Sequence, residues 1–258
     1  MNRATSDNNQ RTSVGTSGGS WFLWLILLLG LGYGLLVPTM AIYPRSRKSA
    51  RMSLEVSTLR QAMELFKLEV GVYPPDFAGN DNDDQKQITM TLEALKVHGG
   101  AESITTRNLD PSEALVFWLH GFSREAGKPL TGKNKRAFYD FDQSRLRDQD
   151  GDGFEEYYPL AKAAPFVYFR IEPHETEFDG EHLLPARLVL SGAVAICPYL
   201  ADDTGCDPKN FEAQIICAGL DDAFGSGGVY PSGIGYSVDD DDNITSFSGG
   251  KALEDSIP

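Results

Sequence analysis

The chain has 258 residues, with 37 Asp+Glu against 23 Lys+Arg and a formal net charge of −14. That is enough for one domain of ordinary size with chain to spare. Its acid is concentrated: residues 139–258 carry 24 acidic and 7 basic side chains, a balance of −17 that leaves +3 for the remainder. Such a surface repels phosphate backbones and argues against nucleic acid as a partner, while it suits hard cations.

Residues 1–20 are rich in Asn, Ser, Thr and Gly without an apolar period, and read as a disordered leader or cytoplasmic segment. Trp21 to Tyr43 is uncharged and apolar; at ~1.5 Å per residue it gives roughly 34 Å of helix against ~30 Å of bilayer hydrocarbon. It exits into Arg45, Arg47, Lys48 and Arg51 rather than a small-residue cleavage site, so the expectation is a retained transmembrane helix over 21–43. Leu54, Leu59, Met63 and Phe66, widened by Leu65 and Leu68, then repeat at helical spacing with one buried face. One long helix, half in lipid and half the spine of a soluble domain, accounts for this; the alternative is an anchor and a separate core helix. Gly71, followed by Pro74-Pro75, stops it.

Asn80 to Asp84 reads as an acidic loop, and a helix is expected around Thr91–Val97, closed by Gly99-Gly100. Another starts at Asp110, with Pro111 at the first helical position and Glu113 completing a capping box, and ends at Gly121. Residues 123–136 form a basic, Gly/Lys-rich loop. From Phe138 onward the pattern is strand-like: Phe138–Phe141, Phe166–Ile171, Leu188–Ile196 and Ala213–Cys217 are aromatic or β-branched and bounded by Pro, Gly or Asp. The fold class expected is α+β: an N-terminal transmembrane helix continuing into a long spine helix packed on a small antiparallel sheet.

Two acidic stretches stand out. In Asp148-Gln149-Asp150-Gly151-Asp152-Gly153, Asp at alternate positions and Gly at the sixth match the start of a calcium loop. Position twelve is Pro159, so this is no full EF-hand, and Glu155 or Glu156 is the closing ligand; the plainer alternative is a solvated acidic turn. The second stretch is Asp221-Asp222 with the run Asp239 to Asp242 and Asn243. Four consecutive aspartates repel one another, and a cation would relieve that only if a loop set them against Asp221 or Asp222. Of the three cysteines, Cys197 and Cys206 bracket a short Pro/Asp/Gly loop that suits a disulfide in an oxidising compartment, the alternative being three reduced thiols.

Gly30, Val37-Pro38-Thr39-Met40, Leu65-Phe66-Lys67-Leu68-Glu69 and Gly71-Val72-Tyr73-Pro74 together resemble the major pseudopilin of type II secretion systems, within the type IV pilin-like family. Gly219-Leu220-Asp221-Asp222 and Asp241-Asp242-Asn243-Ile244 resemble the two loops that enclose a structural calcium there. The resemblance implies that Asp221, Asp241 and Asn243 are ligands. It also implies single-pass anchoring in the inner membrane with the C-terminal domain in the periplasm, and partners among pilin-like subunits or secretion machinery. The soluble domain would span 44–258 with an inserted region at about 76–160. Where the family has Gly-Phe-Thr-Leu-x-Glu, this chain has Thr16-Ser17-Gly18-Gly19-Ser20-Trp21.

The function expected is therefore a calcium-stabilised, pseudopilin-like structural subunit and no enzyme. A non-polymerising, membrane-anchored binding module on a pilin scaffold is the alternative. His174 and His182 lack the same-face spacing of a helical metal motif, and Ser191 lacks a nucleophile elbow.

Overall fold

The computed structural model describes residues 47–78, 81–97, 109–190, 194–203 and 206–256. Helix α1 runs over 47–70. Met52, Val56, Leu59, Ala62, Met63 and Phe66 form its buried stripe, steps of one to four residues that keep to one face. Leu54, Leu65 and Leu68 do not widen that stripe: they are 64%, 56% and 81% exposed. Gly71 ends the helix at φ +98°, its N–H donating to the Lys67 carbonyl at 2.7 Å. The Tyr-Pro turn folds back, with the Tyr73 hydroxyl donating to Glu64 at 2.6 Å and Lys67 lying 4.0 Å over its ring.

The expected transmembrane helix, and the inner-membrane anchoring drawn from it, need correction: among the described residues no helix is long and apolar enough to cross a membrane. The longest, α1, carries eight charged side chains between 47 and 70, and charge is costly in hydrocarbon. The run 21–43 and the leader 1–20 lie outside the described residues.

Helix α2 (Asp81–Ala94) begins inside the stretch read as an acidic loop. It ends in a left-handed Lys96 (φ 57°), with Val97 N–H bonded to the Leu92 carbonyl and Lys96 N–H to that of Glu93, which is the Schellman pattern. Helix α3 (Ala114–Leu119) buries all six of its side chains. Gly121 terminates it, and a Cβ there would meet the Arg136 carbonyl at 1.9 Å.

The strands are β1 (Leu146–Arg147), β2 (Glu156–Tyr157), β3 (Val167–Arg170), β4 (Leu188–Leu190), β5 (Val194–Ile196), β6 (Tyr199–Ala201), β7 (Ala213–Cys217), β8 (Gly228–Tyr230) and β9 (Ile244–Thr245). The single small antiparallel sheet is corrected to four: β1-β2, β3-β7-β9, β4-β5 and β6-β8, the last parallel. Phe138–Phe141 is irregular, and Leu188–Ile196 is two paired strands rather than one.

Strands β3 and β7 alternate with period two. Tyr168, Ile215 and Cys217 join the core beneath α1, α2 and α3, while Val167, Phe169 and Ile216 face a second core with Leu188, Tyr199 and Phe211. Arg145, 7% exposed, forks onto Glu55 of α1 at 2.7 and 2.8 Å and donates to the Tyr158 carbonyl at 2.7 Å. The β1-β2 hairpin is thus fastened to α1, and its connection is the acidic loop. Arg47–Pro258 form one compact unit.

Candidate metal centre

Leu146 pairs with Tyr157 and Arg147 with Glu156, so residues 148–155 are the loop of the β1-β2 hairpin. Inside it the aspartates first organise their own backbone. Asp148 accepts N–H bonds from Gly151 (2.7 Å) and Gly153 (3.1 Å), Asp150 from Asp152 (3.2 Å), and Asp152 from Phe154 (2.9 Å). Gly151 and Gly153 sit at φ +81° and +98°, a region that strains any side chain with a Cβ.

The loop is held against the start of α3 by packing of Phe154 on Phe117, ring centroids 6.0 Å apart. Glu113 is 2% exposed. One of its oxygens, Oε2, accepts the Asp110 N–H at 3.1 Å, the backward half of a capping box. The forward half is missing, because Asp110 Oδ1 accepts from Ser112 N and Oγ at 2.7 and 2.6 Å instead.

Glu113, Asp150 and Asp152 each offer a carboxylate oxygen, and the three atoms lie within 4.8 Å of one another. This triad could hold a metal ion. Asp152 Oδ2 is buried without a hydrogen-bond partner, and a buried acceptor left unpaired is costly. No ion pair reaches Asp110, Glu113, Asp150, Asp152 or Glu156 among the described residues. Burial, then the charges of Asp110, Asp152 and Asp150, pushes the Glu113 carboxyl up to about 9. Burial, with Asp110 and Asp150, pushes Glu156 to about 7. Asp110 is raised as well, again by burial first. These are acids held close with no cation to offset them.

The other site residues read from the sequence fall as follows. Asp148 and Glu155 are exposed and border a neighbouring hollow with Glu113 and His120. Asp221 accepts the Ala223 N–H at 2.8 Å, and Asp222 pairs with Lys162 at 3.5 Å while accepting Ala163 N–H at 3.1 Å. Asp241 is exposed; its neighbour Asp242 faces the Gly219 turn, accepting from Leu220 N (2.6 Å) and Asp221 N (3.3 Å). Asn243 is buried, donating to the Tyr199 hydroxyl at 3.0 Å with its Oδ1 unpaired. No group of three His, Cys, Asp or Glu containing Asp221, Asp222 or Asp241 lies within mutual ligating reach among the described residues. Cys197 and Cys206 are free thiols, as is Cys217, whose thiol burial pushes up to about 12.

Asp240, fully buried, explains part of the four-aspartate run. It accepts from Ser226 N (3.0 Å), Gly227 N (3.1 Å), Ser237 N (2.7 Å) and the Tyr199 hydroxyl (2.5 Å). The Gly-rich loop is thus an anion cradle filled by the chain's own carboxylate. A Cβ on Gly225 would lie 2.0–2.2 Å from that carboxylate. Gly225→Ala is therefore expected to cost about 2–3 kcal/mol in urea unfolding, an overpacking effect on a group that cannot step aside; a loss below about 0.5 kcal/mol would show the cradle to be soft.

Glu113 is the candidate ligand that sequence reasoning missed. Its one local signal is an acid directly preceding Ala-Leu-Val-Phe-Trp-Leu, a helix apolar on every side. No family model, curated protein or solved structure matches the chain. These comparisons do not bear on the expected resemblance to type II secretion pseudopilins.

Proposed function

We propose that the chain is a structural subunit on a pseudopilin-like plan, acting by packing against other protein chains rather than by catalysis. The observation that carries this reading is the outward face of α1. At ~100° per residue, Leu54, Leu65 and Leu68 fall within about 60° of one another, opposite the buried stripe. Three exposed leucines aligned on one helix face form an apolar line that another protein surface would cover. His182, paired with Asp179 at 2.9 Å, and His174 both stand exposed, which is no setting for a shielded catalytic base.

The ion proposed for Glu113, Asp150 and Asp152 is calcium, with a structural role. All the donors are hard oxygens, and atoms within 4.8 Å of one another can share a centre at calcium's 2.3–2.6 Å. The ion would join the β1-β2 loop to the start of α3.

The subunit reading is tested on the full chain by sedimentation velocity. Wild type should form species larger than a dimer as concentration rises. Leu65→Glu/Leu68→Glu should reduce these to dimers at most, without lowering the melting temperature, because both side chains are already exposed. A wild type that stays monomeric throughout, or a variant that assembles unchanged, would sink the reading.

A further inference from the structure

Two hollows of opposite charge adjoin on the surface of this unit. One, of about 340 Å³, is lined by Arg47, Lys48, Arg51 and Lys162, a single acid, Glu55, and the apolar Met52 and Leu160. The other, also about 340 Å³, is lined by Asp110, Asp150, Glu156, Asp222 and Asp239. Its apolar wall includes Pro165, Val189 and Phe224. The ridge between them is the single stretch 160–165: Leu160, Ala161 and Lys162 face the basic hollow, and Ala163, Ala164 and Pro165 the acidic one. Lys162 and Asp222, one from each side, meet across the ridge at 3.5 Å. Asp222 also accepts the Ala163 N–H, and Lys162 donates to the Leu220 carbonyl at 2.5 Å, so the ridge is tied down. Leu160 and Val189, one in each hollow, are 49% and 64% exposed.

We propose that these adjoining hollows form one self-complementary surface on which a second copy of this chain docks about a two-fold axis. Arg51 lies 3.7 Å from Glu55 and Lys162 pairs with Asp222. Arg47, Lys48 and Arg51 are nonetheless exposed and positive charge is in excess in the basic hollow, which a small cation in the acidic hollow would leave unchanged. A partner satisfies both only if it carries both signs at the same spacing. A second copy rotated by a two-fold does so by construction, since in an isologous contact patch i meets patch j while j meets i. The net charge of −14 opposes association at long range, but at physiological salt the Debye length is about 8 Å, so distant repulsion is screened while touching pairs are not. Leu160 and Val189, one in each hollow, add apolar contact. This surface rests on the subunit reading and gives it a specific pairing contact, separate from the leucines of α1.

The test uses the full chain carrying Leu65→Glu/Leu68→Glu, so that only this surface reports. Lys48→Glu/Arg51→Glu sets two negative charges where the acidic hollow of the second copy would dock, and Val189→Lys/Asp239→Lys sets two positive charges where its basic hollow would; all four positions are exposed. Each variant alone should sediment as a monomer, its dimerisation weakened at least about tenfold, because like charges then face each other. An equimolar mixture should restore a 1:1 dimer, since the introduced glutamates then face the introduced lysines while the two unaltered hollows face each other. Should a double variant melt early, Lys48→Gln and Asp239→Asn give the same comparison with smaller weakening, without rescue on mixing. Dimerisation unchanged in the variants, or no rescue in a folded mixture, overturns this surface. If wild type still assembles in either case, the subunit reading stands; a wild type that never associates removes both.

Discussion

Trp118→Ala is expected to lower the unfolding free energy by about 4 kcal/mol, the middle of the range for a buried aromatic. Trp118 is fully buried and touches four rings: Phe66 of α1, Phe77, Phe117 and Phe122, at centroid distances of 4.8–5.7 Å. Its indole N–H also donates to the Pro75 carbonyl at 2.9 Å, in the turn that leaves α1. Truncation therefore opens a cavity between α1 and α3 and leaves a buried carbonyl unpaired, the second effect adding about 1 kcal/mol. Trp118→Phe should keep most of the ring contact and lose about half as much as alanine. Urea unfolding at fixed pH decides the matter, and an alanine variant weakened by less than about 1.5 kcal/mol would show that the ring cluster relaxes around the gap. Since Glu113 directly precedes α3, the same variant should also weaken cation binding, although Trp118 touches no candidate ligand.

Features encoded within a few residues were legible in the sequence. Gly71 ends α1 because one backbone position needs a positive φ, and a Gly followed by Pro-Pro announces it. The aspartate loop was legible for the same reason: its spacing and its glycines are both local, and the loop closes on its own N–H groups. Glu113 could not be read as a ligand, because it lies 37 residues before Asp150 and meets it only through the packing of α3 on β2. Apolar periodicity placed Leu65 and Leu68 with the core, but it reports spacing, and only the neighbours on each side decide which leucines are covered. In the run Asp239 to Asp242 four identical side chains carry no register of their own. The 3-10 turn Val238–Asp240 turns Asp240 inward to the Gly-rich cradle and leaves Asp242 facing Leu220. The parallel β6-β8 pair joins three-residue strands far apart in the chain, too short for alternation to reveal.

Calcium-free protein should lose stability as pH rises, and calcium should restore it. Burial and the neighbouring Asp110 hold Glu113 at about 9 in the folded chain, against 4.5 when unfolded. Between those values the folded state keeps a proton that the unfolded state has released, so the stability from this group is complete below about 4.5 and is lost progressively toward 9. Glu156, held at about 7 chiefly by burial, acts in the same direction over a narrower window. With allowance for solvent screening at the open edge of the loop, about 2–3 kcal/mol should disappear between pH 5 and pH 8. Calcium needs the carboxylate, so its binding expels the Glu113 proton, and its apparent affinity should climb up to about tenfold per pH unit over this window. At pH 8, calcium at a hundred times its dissociation constant should return about 2.7 kcal/mol; at pH 5 the same concentration should do little. Glu113→Gln separates this centre from a merely acidic surface. The neutral amide removes one buried charge from the cluster, so the calcium-free variant should be about 1–3 kcal/mol more stable than wild type at pH 8. It should also lose the calcium response, because the triad then has two carboxylates in place of three. A calcium-induced shift of equal size in wild type and Glu113→Gln would move the ion to another part of the acidic surface, with the unpaired Asp152 Oδ2 the only remaining argument for this one.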